Sequence, residues 1–348
     1  MMVFICCILA VAVLKILAVV FVPLTIALLL AFVMYPLVRL LDNYRFPRLI
    51  SIILIVIIIV AGMCTFGMVI FSSGSNILSL YPKYEYRLSE IYVWIARLLQ
   101  LPYDESLSFW ENLWGQLGIR TWVRNFAFSF SNIFINFMST AVLVLMFLVF
   151  ILLEASNIKG KLEAAFETRA ERVKDMSYDL MSQVSRYLTA KFLISLVNGI
   201  IFAVAFRLIG LEFAILWGII QFLMNFIPTL GSIATGATIS LFALVQFWPD
   251  PVPIILIVIV VLGVNLILGN ILDPKIIGEQ VGISPLIVLA SLVLWGFIWG
   301  FAGMVLAVPM TSIIKILCEN VSMLEPVSIL MGTKKGARKK AKQKKAKL

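Results

Sequence analysis

The sequence predicts an all-α, polytopic helical membrane protein with about eight hydrophobic elements, some of them broken or hairpin-like. Three observations carry that reading. Of 348 residues, 62% are hydrophobic and only 13% charged, and the mean hydropathy is +1.07. Soluble domains are nearer half apolar and a quarter charged, so a water-soluble globular fold is excluded. Stretches such as Ile50 to Val60 are continuously apolar, whereas barrel strands alternate over roughly ten residues. The apolar runs are also punctuated by Pro and Gly beside Asn, Thr and Ser.

Val3 to Val20 and Leu24 to Val38 flank Pro23 and read as two spans or one long broken element. The first lacks an Ala-x-Ala-like cleavage site and is expected to be retained. Arg39, Arg45 and Arg48 stand against one acid, Asp42, and short basic loops stay cytoplasmic. Ile50 to Phe71 then reads as a clean span, completing an N-terminal unit over 1–72. The stretch 73–125 differs in kind, with mixed charge, Pro82 and Trp94, Trp110, Trp114 and Trp122. Its apolar residues recur at helical spacing, so it is expected as an extramembrane helical segment on the outer interface. A third unit, 126–186, joins a span ending at Glu154 to an amphipathic cytoplasmic helix of mixed charge.

The C-terminal core is expected over 187–320. Its first span, Phe192 to Phe206, is expected to be interrupted at Asn198-Gly199. Leu211 to Gln246 holds two apolar arms around Asn225-Phe226-Ile227-Pro228-Thr229-Leu230-Gly231-Ser232. Each arm falls short of the about 20 residues that a spanning helix needs, and proline and glycine favour a break between them. Irregular backbone at membrane depth survives only in protein or beside a wet cavity, and a polar broken helix points to a transporter site. After the Pro249, Pro251 and Pro253 turn, Ile254 to Leu268 spans again, with Asn265 and Asn270 near its end. Leu286 to Leu317 is long for one span and contains Gly300 and Pro309, so a break or hairpin is expected there too. If both broken segments are hairpins, the loop around Asp273 faces the cytoplasm; if each crosses once, it faces outside. The tail, 321–348, is basic: nine of the 28 Lys and Arg fall between Lys334 and Lys347, and the remaining 19 nearly match 18 acids. Such a run favours a cytoplasmic C-terminus and contact with anionic lipid. With no aromatic interleaved, nucleic acid is not an expected partner.

Histidine is absent, which removes Ser-His catalysis and HExxH metalloproteases. No P-loop occurs, and Cys6, Cys7, Cys64 and Cys318 have neither zinc nor disulfide spacing. No enzyme, metal or cofactor is expected. The candidate solute-binding residues are Asn198, Gln221, Asn225, Pro228, Thr229, Gly231, Ser232, Asn265 and Asn270. Their neutral donors and acceptors suit a hydroxylated small-molecule solute. A coupling ion, H+ or Na+, needs a carboxylate, for which Asp273, Glu279 and Glu154 are the candidates. The alternatives are a channel-like pore in a homo-oligomer and a non-transporting scaffold.

The motifs resemble the AI-2E family of bacterial membrane transporters. Carrying the resemblance are Asn225-Phe226-Ile227-Pro228 with Leu230-Gly231, then Pro274, Ile276, Gly278 and Pro285, then Gly300, Gly303 and Val308-Pro309. Ala27-Leu28-Leu29-Leu30-Ala31, Tyr35-Pro36 and Arg48 fit the family's opening, and the likeness runs from about residue 10 to 320. The chain has Ala190-Lys191 where relatives often carry Gly-Gln, and Thr229 where an aromatic is common. The resemblance implies transport across the bacterial inner membrane by a permease of this family, whose members are associated with export of autoinducer-2 or with sodium-proton antiport, and leaves the cargo open.

Overall fold

The computed structural model describes residues 2–44, 47–99, 119–154, 170–272, 283–320 and 324–332. Ten α-helices follow one another among them: α1 Met2–Ile16, α2 Ala18–Asn43, α3 Arg48–Leu99, α4 Ile119–Glu154, α5 Ala170–Ile209, α6 Ala214–Met224, α7 Leu230–Phe247, α8 Pro251–Val264, α9 Pro285–Asn320 and α10 Glu325–Met331. A π-helical segment, Asn265–Leu272, continues α8. Among the described residues, seven stretches are long and apolar enough to cross a bilayer: Ala18–Asn43, Leu49–Ser73, Asn136–Glu154, Met181–Ile209, Leu230–Phe247, Pro251–Gly269 and Pro285–Glu319. The protein is therefore all-α and polytopic.

Several expectations change. The first break falls at Leu17 and not at Pro23; both Pro23 and Pro36 lie inside α2. Backbone bonds continue across Leu17, whose N–H donates to the Val13 carbonyl at 2.9 Å while Phe21 N–H donates to Leu17 at 3.0 Å. In α3 the helix passes Ser73 and Pro82 without interruption, so the expected boundary at 72/73 lies inside one helix. At 1.5 Å per residue it is roughly 78 Å long, more than twice a hydrocarbon core of about 30 Å. The outer arm of α3, 74–99, therefore extends past the spanning part. The boundary at 186/187 likewise falls inside α5. Asn198-Gly199 does not interrupt that helix. Gly199 is there for close approach: a Cβ on it would lie 2.7 Å from the Gly218 carbonyl oxygen and 2.9 Å from Phe222 Cβ of α6.

Both broken segments are hairpins. In the first, α6 and α7 are joined through Asn225 to Thr229. The side chain of Gln246, near the end of α7, closes the open end: its Oε1 accepts from Glu212 N–H at 2.8 Å and its Nε2 donates to the Gly210 carbonyl at 2.9 Å. Phe242 stacks on Phe213 and Trp217 between the arms. The second hairpin lies within α9 and turns at Gly300, where φ is +62°. A Cβ at Gly296 would lie 2.9 Å from Met304 Cγ, eight residues on, which a straight helix forbids. Beside Pro285, Ile283 bridges Gly332 and Ser284 N–H donates to the Met331 carbonyl at 2.9 Å.

Two buried clusters hold these parts. One joins α2, α3, α4 and α5 to the second hairpin through Leu29, Ile55, Leu148, Leu188, Trp295 and Ala307. Ile227, at the turn of the first hairpin, belongs to it. The other packs Phe202 and Phe206 of α5 against Ile239, Ala243 and Ile257. Many other apolar side chains, such as Ile57, Val142, Ile259 and Val293, face outward, as lipid permits.

Candidate functional site

The turn of the first hairpin is built from residues that cannot continue a helix. Asn225 ends α6, Pro228 follows, and Thr229 takes φ +62° before α7 begins at Leu230. A β-branched residue there is strained by about 1–3 kcal/mol. Gly231 is required by contact: a Cβ on it would fall on the Met224 carbonyl across the turn. Thr235 donates its hydroxyl to the Gly231 carbonyl, tightening the first turn of α7.

This turn docks beside the middle of the span Met181–Ile209. Asn225 Nδ2 donates to Ser195 Oγ at 2.9 Å, and Asn198 Nδ2 donates to Asn225 Oδ1 at 3.3 Å. One helical turn earlier in α6, Gln221 Nε2 donates to Asn265 Oδ1 at 3.1 Å. Asn265 is the first residue of the π-helical segment, a geometry that often marks functional positions. Ser195, Asn198, Gln221 and Asn225 are buried, with Ser195 and Gln221 at 0% exposure. Two acceptors in this cluster, Asn198 Oδ1 and Gln221 Oε1, are buried and have no hydrogen-bond partner among the described residues. An unpaired buried polar group costs about 1–3 kcal/mol, a cost that a donor on a bound solute removes. No carboxylate takes part in these bonds, so the amides present neutral dipoles.

Of the candidate residues, Asn198, Gln221, Asn225 and Asn265 are brought together in two linked pairs, and Pro228, Thr229 and Gly231 shape the turn. Ser232 is half-buried in the first turn of α7. Asn270 lies in the π-helical segment, but its side chain falls outside what the structure describes. Asp273 and Glu279 lie outside the described residues. Glu154 is exposed at the end of α4. Sequence reasoning missed Ser195, although it lies three residues before Asn198 on the same face of α5. The signal was there: two polar side chains at helical spacing inside an apolar span.

A family model described as AI-2E family transporter matches residues 4–323. The chain belongs to the AI-2E transporter family. Among its relatives is a putative transport protein of Borreliella burgdorferi, 31% identical over 319 residues, covering 91% of this chain and 86% of that protein. The AI-2 transport protein TqsA of Escherichia coli K12 is 30% identical over 311 residues, covering 89% and 88%. The putative transport protein YueF of Bacillus subtilis is 26% identical over 323 residues, covering 86% and 84%. This AI-2E transporter is thus a membrane transport protein and not an enzyme, and the amide cluster sits at the turn of its first hairpin.

Proposed function

We propose that this AI-2E transporter is a secondary exporter of a small hydroxylated solute, which binds where the first hairpin's turn meets α5. The observation that carries the proposal is the pair of buried, unpartnered acceptors, Asn198 Oδ1 and Gln221 Oε1. Oxygens of this kind call for donors, which a neutral polyol-like molecule supplies from its hydroxyl groups. A strongly anionic solute would find acceptors where it needs donors. Autoinducer-2 is the natural first test, given the name of the Escherichia coli relative. The decisive experiment is flux of autoinducer-2 in proteoliposomes made from the full chain. Saturable flux, lowered at least about tenfold by Gln221→Leu, supports the reading, since losing a polar contact that a site is built around costs that much. Undiminished flux in a folded Gln221→Leu protein would overturn it.

The proposal also places the protein in the bacterial cytoplasmic membrane. On this reading each hairpin returns to its own side, and single crossings by α3, α4, α5 and α8 leave α10 on the same side as the start of α3. Arg39, Arg45 and Arg48 near the start of α3 support a cytoplasmic location for that side. Asp273, the next residue in the sequence after the π-helical segment, is the candidate for coupling to H+ or Na+. Asp273→Asn is expected to abolish the pH or sodium dependence of flux; an unchanged dependence would remove Asp273 from the mechanism.

A further inference from the structure

The outer arm of α3 does not stand free. At its base, Lys83 Nζ pairs with Glu212 Oε1 at 2.5 Å, and the neighbouring Tyr84 hydroxyl donates to Glu212 Oε2. Glu212 is the residue whose N–H bonds Gln246, so the same short segment receives the arm and closes the hairpin. Tyr84 also stacks on Phe242 of α7, with ring centroids 5.6 Å apart. Three helical turns further along the arm, Trp94 meets Trp248 edge-on at 5.3 Å. Burial, and then the Glu212 carboxylate, hold the Tyr84 hydroxyl well above its usual titration range, so it remains a donor. Both arms of the hairpin are thus gripped at their open end, on one side by charge and on the other by aromatic rings.

We infer that Glu212 is a positioning residue that fastens the outer arm of α3 to the open end of the first hairpin, so that the hairpin loosens only when the arm releases it. The inference rests on reading this hairpin as the element that holds the solute, but the grip itself is independent of that reading. A pair with Lys83 half exposed holds less tightly than a fully buried one, yet the bond from Tyr84 is sheltered and charge-assisted.

The test is hydrogen–deuterium exchange on the full chain in nanodiscs, with no solute present. Glu212→Lys and Lys83→Glu each place like charges together. Each is expected to speed exchange of the amides in 210–217 and 241–248 roughly tenfold, the scale of a lost charge-assisted bond. The turn, 225–231, should speed up with them, because a released hairpin loosens as a unit, while 136–154 should not change. The double variant Glu212→Lys with Lys83→Glu restores the opposite charges but not the acceptor for Tyr84, since lysine has none. It is expected to slow exchange in all three segments below either single variant without reaching wild type. Single variants that leave 210–217 unchanged would overturn the inference. So would loosening that stays at 210–217 and never reaches 225–231, or a double variant that exchanges as fast as the single ones. Should either reversal prevent folding, Glu212→Gln and Tyr84→Phe carry the same comparison with smaller effects of about two- to threefold, expected from removing one contact at a time. Failure of the solute assignment would appear in flux and leave these exchange rates untouched.

Discussion

At the scale of single residues, Asn225 joins the hairpin to α5, since it donates to Ser195 and accepts from Asn198. Asn225→Ala strands both partners in a buried setting. It is expected to lower stability by roughly 2 kcal/mol, as removal of one member of a buried polar network does, read as a fall in the thermal transition of the purified protein. Thr229 invites the opposite experiment. Its left-handed backbone suits glycine, so Thr229→Gly is expected to raise stability by about 1 kcal/mol. A lowered transition would mean that the side chain has contacts outweighing its strain. The asparagines and Gln221 were legible in the sequence because amides are conspicuous among Leu, Ile and Val. Ser195 was passed over despite its helical spacing from Asn198, because a serine inside a helix ordinarily satisfies itself on a carbonyl of the preceding turn. Glu212 was illegible for another reason: its partners Lys83 and Tyr84 are 129 and 128 residues away, and no local pattern reports them.

At the scale of elements, glycine has opposite meanings in neighbouring helices. Gly231 and Gly300 stand at reversals, whereas Gly199 and Gly218 lie inside uninterrupted helices and let backbones touch. Sequence alone reads Asn198-Gly199 as a break because a glycine weakens an isolated helix; the packing of α6 against α5 overrides that weakness. A Cβ on Gly218 would lie 2.6 Å from the Gly199 oxygen and 2.7 Å from Ala203 Cβ. Gly218→Ala is therefore expected to cost about 1–3 kcal/mol, the usual penalty of overpacking, and to shift Gln221 away from Asn265. Loss of thermal stability together with weakened flux is the expected pairing. At the start of α8, Asp250 accepts from Val252 N–H at 3.0 Å as an N-cap. Asp250→Ala is expected to cost about 1 kcal/mol and leave flux intact. The proline-rich turn announced that helix start in the sequence, whereas the 52-residue continuity of α3 was hidden by the polar residues beyond Ser73.

At the scale of the whole molecule, the two hairpins share the main buried cluster, through Ile227 on one and Trp295 and Trp299 on the other. The second is tied at its turn to α1, where Trp299 Nε1 donates to the Leu14 carbonyl at 3.0 Å and Lys15 Nζ lies 3.9 Å from the Phe297 ring. Composition and apolar runs were enough to identify a polytopic helical protein, but not to distinguish a hairpin from a single crossing. That distinction depends on contacts such as those of Gln246, which join residues 34 and 36 positions apart. If the tail is only an orienting and lipid-facing segment, truncation after Gly332 should leave flux per correctly oriented molecule largely intact, with orientation measured by protease access to a terminal tag. Gly199 and Gly218 bring no side chains of their own to their seam, so the spacing of the flanking Asn198 and Gln221 is set by backbone against backbone. Exchanging one of these amides for another polar side chain would therefore alter what the cluster offers without disturbing the contact between the two helices.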